Sequence, residues 1–195
     1  MAQLELIEPV VRICAVISRH ESARDAAVSQ LTAFWGEPLR SCEHPFAAGG
    51  FYEPSMGGDL VKRLVAFASL ADPGELADWK IQTNQLEAAC AADESFKESR
   101  PLNLDPGYIS QAKLVLATTK DRDHRLYLRD GIFAEVTLNY MGKKWIHHRW
   151  SYPDFRTEAV ADFATECRNY LRENLHRTGQ FRHRSRSSGA AANDH

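Results

Sequence analysis

The chain has 195 residues, of which 44% are hydrophobic and 26% are charged, and its formal net charge is -2. This length fits one domain with a substantial core, and the near-neutral charge excludes a global attraction to nucleic acid or anionic lipid. Four widely spaced cysteines without a C-x-x-C pair exclude a zinc ribbon and a thioredoxin-type motif, so we expect free thiols.

The first residues of the chain favour neither export nor membrane insertion. Glu5 and Glu8 lie where a signal peptide carries basic residues, and the apolar run Val10–Ile17 is interrupted by Arg12. We therefore expect a cytoplasmic protein that does not enter a membrane.

Strand and helix patterns alternate in the N-terminal part. Val10–Ser18 is short and rich in β-branched residues, which predicts a central strand. The apolar residues that follow recur at helical spacing until Gly36 ends the pattern. Leu39–Phe46 is a predicted strand, and Leu60–Leu70 fits both a strand and a helix, of which we favour the strand. The Gly- and Pro-rich loop between them is either a spacer or the wall of a site. The predicted inner face of the first helix consists of Ala23, Ala27, Leu31, Phe34 and Trp35.

A second helix begins with a strong start signal. Asp72–Glu75 (DPGE) combines an N-cap residue, a proline at the first helical position and a capping-box glutamate, and the helix is predicted to run to about Ala91. Lys80, Asn84 and Glu87 follow one another along one face of this helix. That face is either solvated or one wall of a polar cleft. The predicted inner stripe consists of Leu76, Trp79, Thr83, Leu86 and Cys90.

The segment from Arg100 to Tyr140 reads as a meander of three strands separated by turn signals. Asp105–Tyr108 (DPGY) predicts a type II turn with Asp105 and Tyr108 at its ends, and Asp130-Gly131 predicts a two-residue hairpin.

The hairpin fixes a candidate pair of titratable residues. Its predicted cross-strand pairs are Arg129 with Ile132, Leu128 with Phe133, Leu126 with Glu135, and His124 with Thr137. His124 and Glu135 then become diagonal neighbours on one face, about 7 to 8 Å apart at the backbone, while Arg125 and Tyr127 lie on the opposite face. The pair is either a proton-transfer pair, half of a metal site, or an ordinary cross-strand ion pair.

Cations and hydroxyls flank the same meander. If they meet at one end of the sheet, they surround a few carboxylates, as a phosphate- or carboxylate-bearing small molecule requires. The residues concerned are Lys80, Arg100, Lys113, Thr118, Thr119, Lys120 and Arg125.

The C-terminal part predicts one more helix and a tail. Asp154 or Thr157 caps the helix, which places Val160, Phe163, Cys167, Tyr170 and Leu171 on one face. From residue 177 the chain is rich in Gly, Ser, Ala, Arg and His, which predicts a disordered tail at 177–195. Its arginines either contact RNA or an acidic partner, or serve solubility alone.

No sequence motif identifies a reaction. G-x-x-x-x-G-K-[ST], a strand-linked G-x-G-x-x-G, H-E-x-x-H and G-x-S-x-G are all absent. The sequence indicates no metal site, and the cofactor and the oligomeric state stay unknown.

Three blocks resemble an uncharacterised prokaryotic family catalogued as domain of unknown function 4416. They are MGGDLVKRLVAFASLADPGELADWKIQTNQLE, NLDPGYISQAKLVLATTKDRDHRLYLRDGIFAEVTLNY and WSYPDFRTEAVADF. The resemblance spans about residues 10 to 172 and implies no established activity. The chain departs from the family in its Arg/Ser/Gly tail and at 47–50. The blocks contain Asp105, Gly107, Tyr108, Lys120, His124, Arg125, Glu135, Tyr152 and Asp154.

Together these patterns predict a single α+β domain at 1–176, with a mainly antiparallel sheet of about five to seven strands and about three helices. The first functional hypothesis is a site for an anionic metabolite or nucleotide, with His124, Glu135 and Asp105 in acid-base or hydrolytic roles. It predicts that these three converge in one pocket with ligand-binding residues from the set Arg125, Lys120, Tyr108, Lys80 and Asn84. The alternative is a non-enzymatic adaptor that binds a protein or RNA partner, with the same polar residues dispersed over a flat surface.

Overall fold

The computed structural model describes residues 7–47, 49–50 and 52–181. Within this part of the chain, four helices pack on one antiparallel sheet of eight strands, so the predicted α+β class is confirmed with one strand more than the upper expectation. The elements in chain order are β1 (Val10–Ser18), α1 (Glu21–Trp35), β2 (Pro38–Pro45), α2 (Glu53–Met56), β3 (Val61–Ala71), α3 (Leu76–Ala91), β4 (Asn103–Ile109), β5 (Lys113–Thr118), β6 (Leu126–Arg129), β7 (Ile132–Met141), β8 (Lys144–His147) and α4 (Glu158–Thr178).

The strands lie in the order β2-β3-β1-β4-β5-β7-β6, and β8 pairs with β7 beside β6. Helices α1 and α3 cover one face of the sheet, around a core that includes Trp35, Phe67 and Trp79. Helix α4 covers the other face with Phe163 and Leu171. Because helices lie on both faces, β1 is buried along nearly its whole length, which is why its sequence is almost continuously apolar.

The predicted caps at Asp72 and Thr157 form, but the predicted capping box does not, because the Glu75 carboxylate accepts from Trp79 Nε1 at 3.4 Å. The carboxylate of Asp72 accepts a hydrogen bond from the Gly74 amide at 2.8 Å, in a short 3-10 turn that leads into α3. The Thr157 hydroxyl accepts from the Val160 amide at 3.4 Å and caps α4. The predicted inner face of the first helix is wrong at Phe34, because the Phe34 side chain is 54% exposed.

The predicted turn at Asp105–Tyr108 is wrong, because these residues form the middle of strand β4. Strand β4 pairs with β1 along its whole length, but its pairing with β5 ends at Gly107. Pro106 therefore occupies a position where no β5 partner requires an N-H donor, so a proline is tolerated inside a central strand. At Gly107 an added Cβ would lie 2.2 Å from the Val115 carbonyl oxygen, so the close approach of the two backbones requires glycine.

The Asp130-Gly131 hairpin forms as predicted, with positive φ of 53° and 75° at its two central residues. Arg129 pairs with Ile132, but a bulge at Leu128 then shifts the register by one residue. Tyr127 consequently lies opposite Phe133, so the predicted pairing of Leu128 with Phe133 is wrong. The same shift moves Arg125 onto the face of Glu135, where the sequence had placed only His124.

Two segments extend the sequence-based picture. The Gly- and Pro-rich loop contains the short helix α2, and α4 continues to Thr178, two residues into the predicted tail. The remainder of that tail at 182–195 lies outside the described residues.

No helix in the described part combines the length and the apolar character needed to cross a membrane. All four cysteines are free thiols, as predicted.

Replacement of Gly107 tests the close approach of β4 and β5. We expect Gly107→Ala to lower the free energy of unfolding by about 1–3 kcal/mol, because the new methyl group overlaps a backbone oxygen that cannot move aside. Urea unfolding measures the change. Gly58→Ala is the matched control, since its Cβ meets no atom within 4 Å. Equal stability of the two variants would contradict the packing described here.

Candidate functional site

A polar cavity lies where β4 and β5 separate. Beyond Gly107, strand β4 continues beside β1 as far as Asn103, whereas β5 continues beside β7 as far as Thr118. The two strands thus diverge and leave a gap at one end of the sheet. The residues that line the cavity are Tyr52, Lys80, Arg100, Asn103, Asp105, Leu116, Ala117, Thr118, Thr119, Lys120, Arg125, Glu135 and Tyr152.

Two side chains of helix α3 hydrogen-bond to the β4 backbone where β5 no longer does. Lys80 Nζ donates to the Leu104 carbonyl at 2.6 Å, and Glu87 Oε1 accepts from the Leu104 amide at 2.8 Å. In an ordinary antiparallel ladder a neighbouring strand satisfies both groups. A lysine and a glutamate seven residues apart on one helix take its place here. The next residue along this edge with the same orientation is Pro106, which has no N-H to satisfy.

The same two side chains connect to a wider ionic network. Lys80 Nζ lies 3.5 Å from both Glu87 Oε1 and Asp105 Oδ1, and its side chain is only 5% exposed. Arg100 donates to Glu87 Oε2 at 2.9 Å and also hydrogen-bonds Asn103. Asn103 in turn donates to Asp105 Oδ2 at 2.9 Å. The carboxylates of Glu87 and Asp105 therefore each contact at least two donor groups.

These contacts set the ionisation of Asp105. Burial acts to raise its pKa, but the charge of Lys80, the Asn103 hydrogen bond and the charges of Lys62 and Arg100 outweigh burial and lower the pKa below 3.8. Asp105 is consequently a carboxylate at neutral pH. A carboxylate with a lowered pKa is a weak general base, which favours an electrostatic role over proton transfer.

The opposite wall is built around Glu135 on β7. Arg125 Nε donates to Glu135 Oε2 at 2.8 Å, and both side chains are nearly fully buried. Arg125 also donates through Nη1 to the Lys120 carbonyl at 2.9 Å, which ties the loop after β5 to the sheet. The pKa of Lys120 is lowered by partial burial and by the charges of Arg100, Arg125 and Arg122, against the opposing effect of Asp105. Lys120 therefore lies in a region of positive potential.

His124 lies behind this wall. A hydrogen bond of 3.0 Å joins its Nε2 to Glu135 Oε2, and one of 2.9 Å joins its Nδ1 to Asp123 Oδ1. Its ring stacks on Trp150, which also stacks on His148. The predicted proximity of His124 and Glu135 is present, although His124 lies in the turn before β6 and not in the predicted strand position opposite Thr137. The His124 side chain does not line the cavity.

Two tyrosines, Tyr52 and Tyr152, also line the cavity. Burial, followed by Asp105 and Tyr152, raises the pKa of Tyr52 to about 12, so its hydroxyl keeps its proton at neutral pH. Tyr152 lies in the segment before α4, which is anchored by an ion pair of 2.6 Å between Lys62 Nζ and Asp154 Oδ2. Lys62 also lies 4.1 Å from the centre of the Phe46 ring.

The structure brings together five of the eight residues that the sequence nominated for the site, namely Asp105, Glu135, Arg125, Lys120 and Lys80. His124 contacts one of them from outside the lining. Tyr108 packs on the core beneath α1 and α3, where burial raises its pKa, and Asn84 does not reach the cavity.

Sequence reasoning did not nominate Tyr52 or Asn103. The signal for Tyr52 was its position in the Gly-rich loop, which left a spacer and a site wall as alternatives, and the structure places Tyr52 in the wall. Nothing local marked Asn103, because its role depends on Arg100 and Asp105 being adjacent. Lys113 lies at the opposite end of β5 and takes no part in the site. In the described part of the chain, no group of three or more His, Cys, Asp and Glu side chains is arranged to hold a metal ion.

The fold and the cavity define a single-domain α+β protein with an ionic cavity at a split in its sheet. The chain belongs to the family described as Domain of unknown function (DUF4416), whose model matches residues 8–170, and this confirms the resemblance found in the sequence. No curated protein and no solved structure matches the chain.

Replacement of Asp105 tests the ionic network through its pH dependence. Because folding lowers the pKa of Asp105, its stabilising contribution is present above the unfolded-state pKa near 3.8 and is lost as the pH falls through the folded-state pKa. We expect Asp105→Asn to lower the free energy of unfolding by about 1–3 kcal/mol at pH 7.

Below pH 3.8 the difference from the wild type should narrow, since the wild-type carboxyl is then becoming neutral as well. Urea unfolding over a pH series measures this gap. Asp162→Asn, at an exposed position on α4, should stay within about 0.5 kcal/mol of the wild type throughout. A constant gap for Asp105→Asn across the acidic range would contradict the proposed network.

Proposed function

We propose that the protein binds a small molecule through a phosphate or carboxylate group held in the cavity between β4 and β5. The observation that carries this proposal is the composition of the lining, where four cationic side chains accompany only two carboxylates. The cations are Lys80, Arg100, Lys120 and Arg125, and the carboxylates are Asp105 and Glu135.

The charge balance of the network supports an anionic ligand. When Glu87, which contacts Lys80 and Arg100 from behind the lining, is included, the four cations still exceed the carboxylates by one. Besides burial, which is the largest cause, the charges of three arginines lower the pKa of Lys120 and the charge of Asp105 raises it, so this side chain has several cationic neighbours. An anion placed beside Lys120 would relieve this repulsion, and the hydroxyls of Thr118 and Thr119 offer further donors.

The size of the cavity restricts what enters it. Its volume is about 120 Å³, whereas pockets for drug-sized ligands have roughly 300–1,000 Å³. The cavity therefore suits a single phosphate or carboxylate group rather than a whole nucleotide.

A binding role is better supported than the other two possibilities. The adaptor hypothesis required the polar residues to be dispersed, but five of the nominated residues share one concave lining. For acid-base chemistry, Glu135 Oε2 is already shared by Arg125 and His124, and Asp105 is a weak base. Acid-base or hydrolytic activity stays a prediction, and the cytoplasmic location does as well.

Replacement of Lys120 tests the proposed anion site. We expect Lys120→Met to weaken the binding of inorganic phosphate about tenfold, because one charge-assisted hydrogen bond is worth about 1.5–3 kcal/mol and part of that is retained by the other cations. Isothermal titration calorimetry measures the affinity. Lys113→Met is the matched control, because Lys113 is an exposed lysine at the opposite end of β5 and is not part of the cavity lining.

The wild-type affinity for phosphate should also fall at alkaline pH, as the pH rises through the folded-state pKa of Lys120 below 10.5, a range in which phosphate is already a dianion. Binding prefers the protonated form of Lys120, whose pKa is lowered from 10.5, so deprotonation removes the attraction. The decrease in phosphate affinity at alkaline pH should be smaller in Lys120→Met than in the wild type. Identical phosphate affinities for the wild type and both variants would contradict the proposal.

A further inference from the structure

A second cavity adjoins the first. It has a volume of about 270 Å³ and lies between the end of β2 and the loop that contains α2. Tyr52 lines both cavities, so the two spaces are neighbours that border the same side chain. Together they reach the size range of pockets that hold whole small molecules.

The two cavities differ in chemistry. The first is rich in cations, whereas the side chains that line the second include two carboxylates, Glu53 and Asp59, and two aromatic rings, Phe46 and Tyr52. The two rings pack together with their centres 5.8 Å apart. Carboxylates accept hydrogen bonds from hydroxyl groups, and aromatic rings provide a surface for a flat ring.

Gly58 is a position where the second cavity can be altered with little effect on the protein. It is an exposed residue of the lining, an added Cβ would meet no protein atom within 4 Å, and the residue does not have the positive φ that favours glycine at Gly50 and Gly57. An alanine there therefore changes the lining without strain in the packing or the backbone.

We propose that the ligand is a nucleoside monophosphate, with its phosphate between β4 and β5 and its nucleoside beyond Tyr52 in the second cavity. The carboxylates of Glu53 and Asp59 receive the ribose hydroxyls, and the base packs against the aromatic wall beside Gly58. This inference rests on the proposed anion site and adds the class of molecule that carries the anion.

The test compares four kinds of probe by isothermal titration calorimetry. These are inorganic phosphate, ribose 5-phosphate, adenosine, and the 5'-monophosphates of adenosine, guanosine, cytidine and uridine. We expect at least one nucleoside monophosphate to bind the wild type at least tenfold more tightly than both phosphate and ribose 5-phosphate. The corresponding nucleoside without phosphate should bind more weakly than the monophosphate.

Gly58→Ala separates the two cavities. Gly58 belongs to the lining of the second cavity, and its new methyl group would touch no protein atom, so urea unfolding should show unchanged or higher stability. The variant should bind the preferred monophosphate at least fivefold more weakly and should bind phosphate as the wild type does.

Different results overturn different statements. If phosphate binds but no nucleoside monophosphate binds more tightly than ribose 5-phosphate, or if Gly58→Ala leaves monophosphate affinity unchanged, the nucleoside assignment is wrong and the anion site stands. If neither phosphate nor any phosphorylated probe binds, the proposed function fails and the nucleoside assignment fails with it.

Discussion

Lys80 and Glu87 satisfy a stretch of β4 backbone that has lost its neighbouring strand. Their contacts with the Leu104 carbonyl and amide, at 2.6 and 2.8 Å, replace the ladder hydrogen bonds that β5 would otherwise make. A buried backbone group without a partner costs about 1–3 kcal/mol, so the sheet can divide here only because α3 presents a donor and an acceptor at the right separation. The separation of β4 and β5, and hence the cavity, depends on this pair.

Placing these charges in a nearly buried position has consequences for the whole site. Lys80 and Glu87 need partners, which they find in Asp105 and Arg100, and these extend the network into the cavity. On the β7 side, Glu135 and Arg125 form a second nearly buried pair. The cavity is therefore lined by ion pairs fixed by the fold, and the cations exceed the carboxylates. For the proposed anion, a cavity held in this way would need little reorganisation, which would reduce the cost of binding.

Features governed by local sequence were predictable, and features governed by distant partners were not. The strand at Val10–Ser18 and the cap at Asp72 depend on composition and on neighbouring residues, and both match the structure. Asp105-Pro106-Gly107 has the local chemistry of a turn but forms a strand, because β1 pairs with all three residues and the pairing with β5 ends at Gly107, before Pro106 would have to donate an N-H.

The candidate site was predictable in its residue types but not in its geometry. The bulge at Leu128 carries no sequence signal, yet it decides that Arg125 as well as His124 reaches Glu135. Lys80 was recognisable as part of a polar helical face. Its position at the gap in the sheet follows from the strand order, which helix periodicity does not encode.

A crystal structure of the wild-type protein soaked in inorganic phosphate tests the central claim most directly. The account predicts a phosphate between the two walls of the cavity, hydrogen-bonded to Lys120 and Arg100, with Lys80 still bound to the Leu104 carbonyl. A cavity that holds no phosphate when the soak saturates the protein, or a phosphate bound only elsewhere on the molecule, would contradict it.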